Sequence, residues 1–165
     1  METKMQGSAL ELLLGQALAE RNETLATAES CTGGLVGHLL TEIPGSSAYF
    51  LGGIVAYSNA AKVKLLNVAA LTLEKFGAVS RETAIEMADG VRSNFDADFG
   101  IAVTGIAGPM GDPSDKPVGL TWLAISSRTE TFTKSHQWQG DRSENKRLSA
   151  NALMEFLLKT IQSSG

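Results

Sequence analysis

The chain has 165 residues, 43% of them apolar, which suits one domain with a real core and excludes a disordered chain. Its formal net charge is −4, from 14 Lys and Arg against 18 Asp and Glu. That acidic balance argues against direct nucleic-acid binding, which favours a basic stripe.

The first segment reads as a helix, because Leu10, Leu13, Leu14, Ala17 and Leu18 recur at helical spacing up to Arg21-Asn22. Residues 24–28 read as a strand, and Glu29-Ser30-Cys31-Thr32-Gly33-Gly34 as a turn into a helix over about 34–41, stopped by Pro44-Gly45. A strand over 48–57 holds Gly52-Gly53, a sign of bending or close approach. Ser58 or Asn59 can cap a helix over 60–66, and a second short helix covers 70–76, stopped by Gly77. Ser80 caps the next helix, whose buried stripe is Ala84, Ala88, Val91 and Phe95. Residues 98–104 suit a strand covered on both faces, followed by a long Gly- and Pro-rich loop to Pro117. Strands over 118–126 and 131–138 form a hairpin. A last helix starts near Asp141 and buries Ala150, Leu153, Met154, Leu157, Leu158 and Ile161. Interleaved strands and helices mean a layered α/β domain, and the hairpin makes the sheet mixed.

Four segments could carry chemistry. The turn 29–34 lies between a strand and a helix start, where free N–H groups can hold a phosphate or an oxyanion. Ser30 or Cys31 could be the nucleophile there; the same residues also fit a helix cap over a buried cysteine. Lys62 falls in the first turn of its helix, where the positive dipole depresses an amine pKa as a basic lysine requires, although Lys62 and Lys64 equally fit two solvated lysines. Thr104-Gly105-Ile106-Ala107-Gly108-Pro109 ends a buried strand in a glycine loop, at the strand end where open α/β sheets bind ligands, or is a plain glycine turn. Arg142, Lys146 and Arg147 put positive charge at a helix start, which a bound anion would reconcile and solvent would also serve.

Cys31, His38 and His136 are the only Cys and His residues and lack ligand spacing, which argues against zinc in a Cys-rich or His-rich site, and one cysteine leaves no internal disulfide. No His–Asp pair suits a serine triad, so a Ser30 nucleophile would take Lys62 as its base. No apolar run approaches the roughly 18 residues of a spanning helix, and Met1-Glu2-Thr3-Lys4 does not read as a leader; a soluble cytoplasmic protein of one domain is the expectation.

These segments resemble, in order, the C-terminal domain of the CinA family, the nicotinamide-nucleotide (NMN) deamidases. The matching stretches are Ala28-Glu29-Ser30-Cys31-Thr32-Gly33-Gly34, Pro44-Gly45-Ser46-Ser47-Ala48-Tyr49-Phe50, Gly53-Ile54-Val55-Ala56-Tyr57-Ser58-Asn59 with Lys62, and Gly77-Ala78-Val79-Ser80. Thr104-Gly105-Ile106-Ala107-Gly108-Pro109, Lys116-Pro117-Val118-Gly119 and Gly140-Asp141-Arg142 complete the series. The resemblance implies a three-layer α/β/α sandwich with a mixed, mostly parallel sheet of about five strands, self-associated as a homo-oligomer such as a dimer. It implies hydrolysis of the carboxamide of nicotinamide mononucleotide to nicotinic acid mononucleotide and ammonia, with no metal or cofactor. The family's catalytic serine, lysine and tyrosine fall on Ser30, Lys62 and Tyr57. The pyridine nucleotide is then expected against Cys31, Thr32, Gly33, Gly34, Thr104 and Gly105, with Arg142 or Arg147 on the phosphate. Lys146 stands where members often have Arg, and Asn145 where an aliphatic residue precedes it. The rival readings are a non-catalytic nucleotide-binding or regulatory module linked to competence or DNA damage, and a thiol enzyme using Cys31.

Overall fold

The computed structural model describes residues 9–165. Among the described residues six α-helices are α1 (Ala9–Glu20), α2 (Leu35–Thr41), α3 (Asn59–Leu66), α4 (Ala70–Phe76), α5 (Arg81–Phe95) and α6 (Arg142–Ser163). Five strands are β1 (Leu25–Glu29), β2 (Phe50–Val55), β3 (Phe99–Gly105), β4 (Leu120–Ser126) and β5 (Thr131–Gln137). The strands form one mixed sheet in the order β2-β1-β3-β4-β5. β1 pairs parallel with β2 and with β3, and β4 pairs antiparallel with β3 and with β5. Four strands therefore point one way and β4 the other, and half of the pairings are parallel.

Alternation along the strands sorts side chains between two helical layers, because successive residues face opposite sides of a sheet. Leu25, Phe99, Ile101, Val103, Leu123 and Ile125 join the core beneath α1, α2 and α6. The other face presents small residues, Ala26, Ala28, Ala102 and Ala124, to α5. Gly100 sets the spacing, since a side chain there would strike the Ala88 carbonyl and the Arg92 backbone of α5. The result is a three-layer α/β/α sandwich, as the family resemblance implies.

Local signals account for the element ends. Ser58, Ser80 and Asp141 cap α3, α5 and α6 by accepting the amides of Ala61, Thr83 and Glu144. Ser58, not Asn59, is thus the α3 cap, which leaves Asn59 free for other work. The strand expected over 48–57 is shorter, because residues 46–48 form a 3-10 turn before Phe50. Its glycines are crowded as expected: a side chain on Gly52 would meet Phe95, and one on Gly53 would meet Thr27. No helix among the described residues is long and apolar enough to cross a membrane.

Candidate active site

The parallel strands β1, β2 and β3 end side by side, and their C-terminal loops carry the candidate residues. This is the position where open α/β sheets place ligands. Ser30 follows β1 directly, and its amide donates to the Val103 carbonyl, fixing it against β3. Lys62 reaches it from α3: the lysine Nζ lies 3.0 Å from Ser30 Oγ. The same nitrogen lies 3.0 Å from the Ala56 carbonyl and 3.3 Å from the Tyr57 carbonyl. Lys62 is 1% exposed and Ser30 7%. Of the two lysines on α3, Lys62 is the buried one and Lys64 is solvated. Burial holds the Lys62 ammonium below the ordinary lysine range.

The turn after Ser30 is organised by Glu29, a buried carboxylate given no role in the sequence reading. It accepts the Thr32 hydroxyl at 2.6 Å, the Val36 amide at 2.9 Å and the Gly37 amide at 3.1 Å. The start of α2 is therefore already satisfied by a carboxylate and is not open to a phosphate. Thr32 is buried against Glu29, and Thr32, Gly33 and Gly34 do not line the cavity beside the dyad. Cys31 does line it, but burial pushes its thiol up to about 12, which is the state of an inert core cysteine.

That cavity has a volume of about 420 Å3, within the range of small-molecule pockets. Ser30, Lys62, Thr104, Gly105 and Arg142 reach it, as does Asn59 on the rim of α3. The wall opposite is Ala78 and Val79, and the glycine loop after β3 covers it from Ile106 to Pro113. Thr104 donates its hydroxyl to the Ala78 carbonyl at 2.8 Å, so it shapes the wall. Tyr57 sits at the mouth, 61% exposed. Its hydroxyl accepts from Arg142 at 3.0 Å, and Arg142 donates also to the Gly108 carbonyl at 2.7 Å. Tyr57 thus meets Lys62 through its main-chain carbonyl, while its ring and hydroxyl form an arch with Arg142 over the cavity.

Arg147 is not brought to this site. It lines a separate groove of about 930 Å3 with His38, Glu42, Asp141 and Glu144, which contains no nucleophile paired with a base. Five residues on a helix turn the side chain by about 140°, so Arg142 and Arg147 could not share one pocket, a signal the sequence already held. Lys146, four residues from Arg142, is on the same face and brings Nζ to 4.0 Å from where a Gly33 side chain would begin. Asn145 is buried and donates to the Ala107 carbonyl at 3.0 Å, tying α6 to the glycine loop. Among the described residues, no group of three or more His, Cys, Asp or Glu could hold a metal ion.

Known proteins agree with this arrangement in fold and sequence. The family model described as the CinA C-terminal domain matches residues 7–161. A CinA-like protein of Salinibacter ruber is 46% identical over 152 residues, covering 92% of this chain and 37% of the relative. A CinA-like protein of Cytophaga hutchinsonii is 44% identical over 153 residues, covering 93% of this chain and 37% of the relative. The chain spans little more than a third of the length of these curated relatives. Among solved structures, a competence-damaged protein (CinA) superfamily protein from Klebsiella pneumoniae superposes with a TM-score of 0.91 at 32% identity, covering 93% of this chain and 96% of that one. The competence/damage inducible protein CihA from Agrobacterium tumefaciens gives 0.87 at 41% identity, covering 91% and 94%. Sequence, fold and the ordered segments around the Ser30–Lys62 pair agree, and the chain belongs to the CinA family as a CinA C-terminal domain.

Proposed function

We propose that this domain binds a pyridine nucleotide and hydrolyses the carboxamide of nicotinamide mononucleotide to nicotinic acid mononucleotide and ammonia. The observation that carries the reading is the buried 3.0 Å contact between Lys62 Nζ and Ser30 Oγ. A serine is a weak nucleophile until a neighbouring base takes its proton. In the neutral amine, the two N–H bonds of Lys62 can go to the Ala56 and Tyr57 carbonyls, which leaves the lone pair for the Ser30 hydroxyl. Burial favours that neutral form.

Lys62 Nζ takes the hydroxyl proton as Ser30 Oγ attacks the carboxamide carbon. The tetrahedral oxyanion then expels the amino group, which leaves as ammonia with the proton that Lys62 returns. A water molecule attacks the resulting ester, giving a proton to Lys62; the ester C–O bond breaks and Ser30 recovers its hydroxyl. The product leaves as the carboxylate. Val36 and Gly37 amides are committed to Glu29, so the oxyanion hole draws on amides closer to Ser30. Arg142, with N–H groups beyond those spent on Tyr57 and Gly108, and Lys146 on the same face of α6 are suited to the phosphate. Tyr57 in this reading holds Lys62 by its carbonyl and closes the mouth with its side chain. The raised thiol pKa of Cys31 disfavours a thiol mechanism.

The test is ammonia release from nicotinamide mononucleotide after dialysis against a chelator, for wild type, Ser30→Ala and Lys62→Ala. Turnover by the wild type and loss in both variants is the expected result. Nucleotide binding without turnover would favour the regulatory module. Self-association as a dimer belongs to the same proposal; light scattering on the eluting protein at micromolar concentration checks it.

A further inference from the structure

The segment joining α4 to α5 has an uncommon pattern of bonding. The carbonyls of all four residues from 76 to 79 receive side-chain donors. Lys116 Nζ donates to Phe76 and Val79, 2.6 Å from each. Gly77 accepts from Ser80 at 2.9 Å and from Thr83 at 2.7 Å, and Ala78 accepts from Thr104 at 2.8 Å. Two of these donors are local to α5, but Thr104 and Lys116 come from opposite ends of the glycine loop that covers the dyad cavity.

The loop and the segment are the two walls of that cavity. Thr104 joins them at the floor, and Lys116 joins them where the loop returns. A cation suits this place, since Phe76 ends α4 and its carbonyl, which no amide of the helix pairs, lies at the negative pole of the helix. No Asp or Glu pairs with Lys116 among the described residues, so main-chain carbonyls are its partners. Room for the ammonium is made by Gly77: its φ of 81° is unfavourable to other residues, and a side chain there would begin 3.1 Å from Lys116 Nζ.

We propose that Lys116 is a positioning residue that clamps the glycine loop to the Ala78–Val79 wall and so fixes the width of the substrate cavity. It does not reach Ser30 or Lys62, and it acts through the walls. The proposal rests on the amidohydrolase reading for its substrate, and its clamp can be tested without it.

Steady-state hydrolysis of nicotinamide mononucleotide by Lys116→Met is the first experiment. A loosened wall weakens binding while the dyad stays intact, so KM should rise about tenfold with kcat within about threefold of wild type. Lys116→Arg, which can still donate to two carbonyls, should recover most of the affinity. A KM for Lys116→Met within about twofold of wild type would overturn the proposal. The second experiment is hydrogen exchange on wild type and Lys116→Met. Faster exchange at residues 78–80, with β1 and β3 unchanged, is expected, and equal exchange at 78–80 would refute the clamp. If the wild type does not hydrolyse the nucleotide, the amidase reading fails alone and exchange still decides the clamp. Lys116→Gln, with a shorter neutral donor, serves both measurements if Lys116→Met does not fold, and should shift them in the same direction.

Discussion

Replacing Glu29 by Gln should show how much of the nucleophile turn depends on a carboxylate. The change keeps the shape and opens no cavity. Two oxygens now accept three bonds, from Thr32 Oγ1 and from the amides of Val36 and Gly37. A glutamine keeps one acceptor and turns an NH2 group toward a donor: with its oxygen on Thr32 and Val36, the half-buried Gly37 amide is left without a partner. A buried donor stripped of its partner costs roughly 1–3 kcal/mol, and the lost charge at the start of α2 adds about 0.3–1 kcal/mol. The sum is about 1.3–4 kcal/mol, or a Tm lower by roughly 3–16 °C for a domain of this size. Urea unfolding with an unchanged m-value measures the first quantity and a thermal melt the second. Because Ser30 is the next residue, ammonia release should fall as well, chiefly in kcat. Stability within about 0.5 kcal/mol of wild type would mean that the carboxylate does not hold the turn, and the reasoning would fail.

Three further outcomes are expected. Cys31, with its thiol near 12, should resist iodoacetamide in the native protein at pH 8 and react once urea unfolds the chain, as a mass shift of one adduct would show. Lys62 is held below the ordinary lysine range, so the unfolded chain binds more protons than the folded one between the folded pKa and about 10.4. Wild-type stability relative to Lys62→Met should therefore rise with pH across that window, by urea titrations at several pH values, and kcat/KM should rise as Lys62 loses its proton on the acidic side. Gly90→Ala should destabilise although alanine favours helices by about 1 kcal/mol. A methyl at Gly90 of α5 would run into the Leu66 carbonyl of α3, and overpacking of this kind costs about 1–3 kcal/mol. Activity should drop with stability, because α3 carries Lys62; a stabilised variant would show that α3 and α5 are not held at this spacing.

Much of the architecture follows from local pattern. The 3.6-residue repeat of Ala150, Leu153, Leu157 and Ile161 places one face of α6 on the core, and Ser58, Ser80 and Asp141 mark helix starts by chemistry that works over three residues. The apolar run ending in Thr104 marks a central strand, and the order of strands and helices gives the layered α/β class. The turn after β1 and the loop after β3 were therefore legible as the ligand end of the sheet. What the tertiary structure decided is which groups meet there. Lys62 as a solvated lysine and Lys62 as a buried base read the same in sequence; its 3.0 Å approach to Ser30 spans 32 positions and exists because α3 packs against α5. Arg142 meets Tyr57 across 85 positions, and Lys116 meets Phe76 across 40. Glu29 looks like an exposed turn residue until α2 folds back over it and supplies two amides. Periodicity and capping are short-range and so are written along the chain, whereas burial of a charge and the partner that receives it depend on which surfaces the sheet brings together.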